Sequence, residues 1–144
     1  MSSAYNQAMS AYRNAAAQVP PNVAVVKLYD LAIRSIRLAI TSLQEGQIEQ
    51  TYIAITKACQ VLRGLSSNLR FSPDNDMAET LKTTYVANMI ALHTAFGKPD
   101  AARRYAQIAE GLLELRNAWA QIAGMPPAQS LLERSTSKSA RTRL

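Results

Sequence analysis

The apolar side chains of this chain recur with a helical period in four long stretches separated by short breaks. The segment VVKLYDLAIRSI, Val25 to Ile36, is the densest of them. At about 100° per residue, Val25, Tyr29, Ala32 and Ile36 make one stripe, and Val26 and Ile33 flank it. Leu28 and Leu31 widen the arc in the other direction, and only Lys27, Asp30 and Arg34 mark a polar side. The apolar arc is roughly twice the ~100° that docking on a single core requires. Something beyond one neighbour has to cover the remainder.

The breaks predict where each helix begins and ends. Pro20 and Pro21 in VPPN suit a first turn and no later one, so the first long helix starts near Pro21. It runs to about Glu45, where Gly46 offers a left-handed C-terminal cap. A second helix spans about Gln47 to Leu69, until FSPDND interrupts it with Pro73 and supplies Ser and Asp residues suited to N-capping. A third runs from about Asp76 to Phe96 and stops at Gly97. Pro99 restarts the chain into a fourth that ends near Ala123, before GMPP. Upstream, Tyr5, Met9 and Tyr12 fall about one turn apart, the mark of a short amphipathic helix. The expected fold is all-α: an antiparallel up-down four-helix bundle with a short extra N-terminal helix. The chain divides into an N-terminal segment (1–19), the bundle (20–124) and a basic tail (125–144), the tail expected to be disordered.

Steps of three and four residues pick out the core seams. The second helix reads Ile48, Tyr52, Ile55, Cys59, Leu62 and Leu69, and the fourth reads Tyr105, Ile108, Leu112, Leu115, Trp119 and Ile122. The third reads Met77, Leu81, Thr84, Asn88 and Leu92, a weaker seam with two polar members. Apolar residues are left over. Ala54, Ala58, Val61 and Leu65 form a separate stripe on the second helix; Tyr85, Met89 and Phe96 lie to one side of the third seam, Val86 and Ile90 to the other. Two readings stand: the surplus completes a core in which each helix meets two neighbours, or it lines an exposed groove for a partner helix.

Composition narrows the choice of function. Apolar residues make up 48% of 144, enough for one domain with a modest core. One cysteine, Cys59, cannot form an internal disulfide and fits a reducing, cytoplasmic setting. No apolar run approaches the ~20 residues of a membrane span, so no membrane insertion is expected. The net charge is +6, but beyond Pro127 four basic residues (Arg134, Lys138, Arg141, Arg143) face Glu133 alone, so half the excess lies in the tail. No basic stripe remains to make a nucleic-acid surface. His93 is the only histidine, and Glu110 and Glu114 sit on the polar face of the fourth helix. With no inward Glu-x-x-His pair, phosphate loop or nucleophile elbow, we expect no enzyme, no metal and no cofactor.

The segment AYRNAAAQVPPNVAVVKLYDLAIRSIRLAI resembles the start of the flagellin-specific export chaperones, the FliS family. Leu28, Tyr29, Asp30, Ala32 and Ile33 match the family's Leu-Tyr-acid-x-Ala-Ile helix, Pro21 its proline and Tyr12 its early tyrosine. EGQIEQTYIAITKACQVLRGLSSNL looks like its second helix and LLELRNAWAQI like its last, so the resemblance spans about Tyr12 to Ala123. The chain departs from the pattern at Pro20, where the family has Ser, and at Asn22 and Val23, where acidic residues are usual. The resemblance implies a cytoplasmic chaperone that binds the disordered C-terminal segment of flagellin in hydrophobic grooves, prevents premature polymerisation and delivers it to the flagellar type III export gate. It also implies that Tyr5, Met9 and Tyr12 plug the bundle when flagellin is absent. The surplus residues Ala54, Ala58, Val61, Leu65, Tyr85, Val86, Met89 and Ile90 are then the candidate partner contacts. A second flagellar regulatory protein sharing that surface stays open, and the alternative is a self-associating bundle that forms a homodimer through the same faces.

Overall fold

The computed structural model describes residues 4–7, 21–70 and 73–129. Four long helices follow one another: α1 (Pro21–Gln44), α2 (Ile48–Ser67), α3 (Met77–Ala95) and α4 (Ala101–Ala123). Each lies within two residues of its expected bounds. Residues 4–7 are helical as well, with Tyr5 half-buried; Met9 and Tyr12 lie outside the described residues, as does the basic tail from residue 130 on. None of the helices described is long and apolar enough to cross a membrane.

Backbone geometry at the breaks accounts for the short connections. Gly46 has φ +74° and Gly124 +72°, the left-handed conformation that ends a helix at little cost only for glycine. After α1 the Gln47 N–H returns to the Ser42 carbonyl (2.8 Å) and the Gly46 N–H to that of Leu43 (3.1 Å), which satisfies carbonyls the helix end would leave bare. α3 is entered differently from expectation. Asp76 makes no side-chain cap; the Asn75 carboxamide oxygen accepts the Met77 N–H at 2.9 Å instead.

The helices form an antiparallel bundle in which α1 packs along both α2 and α4, while α3 closes the ring more sparsely between α2 and α4. The wide apolar arc of α1 is thus shared by two long neighbours. Val26, Tyr29, Ala32, Ile33, Ile36 and Ala39 are buried between them, and Leu28 and Leu31 are partly covered at the edges. α3 sends in only Ala78, Tyr85 and Leu92, a seven-residue repeat, together with Ala95.

The rotational setting of three helices differs from the expected seams. On α2 the buried face is Thr51, Ala54, Ile55, Ala58, Cys59, Leu62 and Leu65, while Ile48 and Tyr52 are half exposed. Thr51 can take the interior place because its hydroxyl donates to the Gln47 carbonyl at 3.0 Å. On α3 Met77 is exposed and Tyr85 replaces Thr84 and Asn88 as the inward residue. On α4 Ile122 is exposed, and Ala109, Leu113, Arg116 and Ala120 join Tyr105 and Leu112 inside. A strict three-four pattern drifts against the 3.6-residue turn, so the outermost members of each seam rotate out of the interior.

Two polar fasteners cross the bundle. The hydroxyls of Tyr29 (α1) and Tyr85 (α3) hydrogen-bond to each other, with ring centroids 6.1 Å apart and tilted by 56°. Burial, then the bond to Tyr85, pushes the Tyr29 hydroxyl far above the ordinary tyrosine range; Trp119 works weakly in the opposite sense. Asp30 (α1) pairs with Arg116 (α4) through two contacts, 2.8 Å from Nε and 3.4 Å from Nη2.

Gly46→Ala should lower stability by about 1 kcal/mol, because the cost is the left-handed backbone alone: a Cβ there meets nothing within 4 Å. Thermal denaturation reads it. Tyr29→Phe and Tyr85→Phe should each cost about 1–3 kcal/mol by stranding a buried hydroxyl, and the double variant clearly less than their sum. Strictly additive losses in denaturant melts would remove the hydrogen bond from the account.

Candidate functional site

Because α3 is held by few inward residues, most of its circumference stays on the surface. Ile90 is 62% exposed and Val86 39%. On the α4 side of Ile90 runs an open groove of about 760 Å³. Its floor is made of small residues, Ala87 and Ala91 from α3 and Gly111 from α4, and Ile108 supplies an apolar wall. A Cβ built on Gly111 would meet nothing within 4 Å, so that glycine opens onto free space. Small residues let a third helix backbone approach closely, while Ile90 and Ile108 give it apolar surface to cover.

One rim of the groove is charged. Arg104 lines it and pairs with Asp100 at 2.9 Å, and Arg103 reaches the same carboxylate oxygen at 3.2 Å. The Arg104 hydrogen bond is the main reason the Asp100 carboxyl sits below the usual carboxylate range. These are solvent-exposed pairs that contribute little to stability, but they fix a positive side chain beside an apolar trench.

Two further apolar surfaces lie at the bundle ends. A cleft of about 300 Å³ opens where the start of α1 and α3 meets the end of α2 and α4, lined by Val25, Leu65, Leu69, Met77, Leu81 and Trp119 with Tyr85 at its base. At the opposite end Ile48, Tyr52 and Ile53 of α2 stand exposed beside Phe96, whose ring meets that of Tyr52 edge-on at 5.5 Å.

The eight expected contact residues separate into three groups. Ala54, Ala58, Leu65 and Tyr85 are interior core positions in the chain by itself, away from the α3/α4 groove, though Leu65 and Tyr85 also reach the end cleft. The reason is rotational: the α2 stripe set aside as surplus faces the core together with Ile55, Cys59 and Leu62 of the expected seam. Val61 and Met89 are partly buried and pack against the core. Val86 and Ile90 alone are exposed. The α4 half of the groove escaped the sequence reading, since Ile108 fits the core seam equally well. A helix-interior glycine at position 111 was the available signal, because glycine there costs helix stability unless space or approach demands it.

Among the described residues no group of three or more His, Cys, Asp and Glu could hold a metal ion. His93 is exposed on α3. Cys59 is buried, its thiol directed weakly at the Met89 carbonyl (3.9 Å), and burial pushes its pKa up to about 11 against a smaller opposing effect of Arg63. Such a thiol stays protonated at neutral pH. Alkylation of the native chain near pH 8 should therefore run roughly a hundredfold slower than that of the denatured chain, and accelerate as pH climbs. Equal rates in the two states would show that Cys59 is accessible.

A family model described as flagellar protein FliS matches residues 1–126 of this chain. No curated protein matches it.

Proposed function

The chain belongs to the flagellar protein FliS family, and from that premise we propose that it is a cytoplasmic export chaperone for flagellin. Its client is the C-terminal segment of flagellin, disordered in the monomer, which becomes partly helical on the bundle. Flagellin assembles through apolar terminal regions, and covering them blocks polymerisation until the segment is handed to the flagellar type III export gate. The supporting observation is the open α3/α4 groove, with its small-residue floor and the exposed Ile90 beside it.

The energetics suit such a client. Ordering a disordered segment costs several kcal/mol, so the contact has to be extended, on the order of 1,000 Å² or more. One groove accommodates one helix, and the additional apolar surfaces at both bundle ends lengthen the track that a wrapped segment could follow. Val86 and Ile90 are direct contacts in this reading, with Val61 and Met89 at the margin. Ala54, Ala58, Leu65 and Tyr85 act by shaping the core beneath. Of the N-terminal residues assigned to a plug, Tyr5 is half-buried, which suits a segment lying on the bundle when the client is absent.

Calorimetric titration with the C-terminal segment of the cognate flagellin should release heat, and circular dichroism should register a gain of helix. Ile90→Asp should weaken binding roughly tenfold or more and leave the melting curve of the chain nearly unchanged, because the side chain is exposed. Ala58→Asp should instead unfold the bundle by burying an unpaired charge. A titration of the folded chain that gave no heat and no added helix would sink the chaperone reading; a concentration-dependent dimer indifferent to flagellin would install the homodimer in its place.

A further inference from the structure

α4 ends at Gly124, but the chain does not leave the bundle there. Residues 126–128 turn back along the flank of α4 that faces α1, and every hydrogen bond holding them is made to their backbone. The Asn117 carboxamide takes both polar groups of one residue: its Nδ2 donates to the Ala128 carbonyl (3.1 Å), and its Oδ1 accepts the Ala128 N–H (2.9 Å). Two residues earlier, Arg116 Nη1 donates to the Pro126 carbonyl (2.9 Å). Ala128 packs its methyl group against the core.

The holder is braced from α1. Asp30 grips Arg116 at 2.8 and 3.4 Å, and Arg116 Nη1 donates to Asn117 Oδ1 at 3.2 Å, which orients the carboxamide with its nitrogen outward. Arg116 is nearly buried, so the relay from α1 through α4 is stiff. Its occupant is held at fewer points: Pro126, Pro127 and Gln129 are exposed on either side of Ala128. A preorganised pair that reads one residue's N–H and C=O as a neighbouring β-strand would accepts any extended chain with a small side chain at that point.

We propose that Arg116 and Asn117 are a second client contact, which grips an extended, non-helical stretch of the flagellin segment by its backbone and is kept filled by residues 126–128 until the client arrives. This rests on the chaperone reading and deepens it. The α3/α4 groove takes a helical part of the segment through apolar contacts; the α1/α4 flank, on the other side of α4, takes an extended part through main-chain hydrogen bonds. The chain's own strap competes for the second site, so it lowers the affinity by the fraction of time it is closed.

The test uses the full chain and a fluorescent flagellin C-terminal segment. Ala128→Pro deletes the strap's N–H donor without touching Asn117, and should tighten binding roughly three- to tenfold. Adding Asn117→Leu to that variant removes the contact itself, and should cancel the gain and weaken binding by a similar factor. In the unsubstituted chain, the Ala128 amide should be protected from hydrogen exchange alone and lose that protection, or change environment, when the segment saturates it. If the segment binds but Ala128→Pro does not tighten it, or the added Asn117→Leu does not weaken it, the second contact is overturned and the chaperone reading survives. An Ala128 amide undisturbed in the complex overturns it equally, without recourse to variants. If the segment does not bind the folded chain at all, both fall together.

Discussion

The structure depends on how the apolar arc of α1 is covered. A helix with so wide an arc cannot lie on one neighbour, and here it is enclosed by α2 on one flank and α4 on the other. Tyr29, Ala32, Ile36 and Ala39 have no exposed surface. Once α2 and α4 are committed to α1, little inward space is left for the remaining helix. α3 completes the ring through Ala78, Tyr85, Leu92 and Ala95, covers Leu81 and Met89 in part, and keeps Met77, Val86 and Ile90 outside. The exposed surface proposed to receive a client is therefore a consequence of where the central helix is buried.

The residues that carry the family resemblance hold the bundle together instead of presenting a surface. Tyr29 joins α1 to α3 through Tyr85, and Asp30 joins α1 to α4 through Arg116. Neighbouring positions on one helix thus anchor two different partners. The Leu-Tyr-Asp motif and the Leu-Arg-Asn-Ala-Trp motif are far apart in the chain and meet in the fold: Arg116 pairs with Asp30, and Trp119 acts on the Tyr29 hydroxyl, weakly opposing the effect of burial. A buried polar pair of this kind restricts relative rotation and sliding, because slippage strands a hydroxyl or a charge in the interior. It fixes which faces of α3 and α4 look at each other across the groove.

Much of the fold was legible in the residues, and unevenly so. Helix ends were, because Pro21, Gly46, Gly97 and Gly124 act locally: a missing N–H or a left-handed φ stops a helix whatever surrounds it. Rotation about the helix axes was not. On α2 the apolar residues occupy so much of the circumference that Ile55, Cys59 and Leu62 of the expected seam go inside together with Ala54, Ala58 and Leu65, and Ile48 and Tyr52 turn outward. Of the proposed surface, Val86 and Ile90 were identifiable as apolar residues outside the weak α3 seam, whereas Ile108 and Gly111 opposite them were hidden in a helix whose seam looked complete.

By itself the sequence determined four helices, their lengths and their antiparallel order, since each follows from interactions within a turn or two of backbone and from connections too short for other arrangements. Tertiary structure alone decided which faces became interior. Thr51 and Arg116 are buried although polar, because a carbonyl one turn away and a carboxylate 86 residues away satisfy them. The carboxylate is a partner that no local pattern announces, and burial is a property of the neighbours a side chain acquires as much as of the side chain.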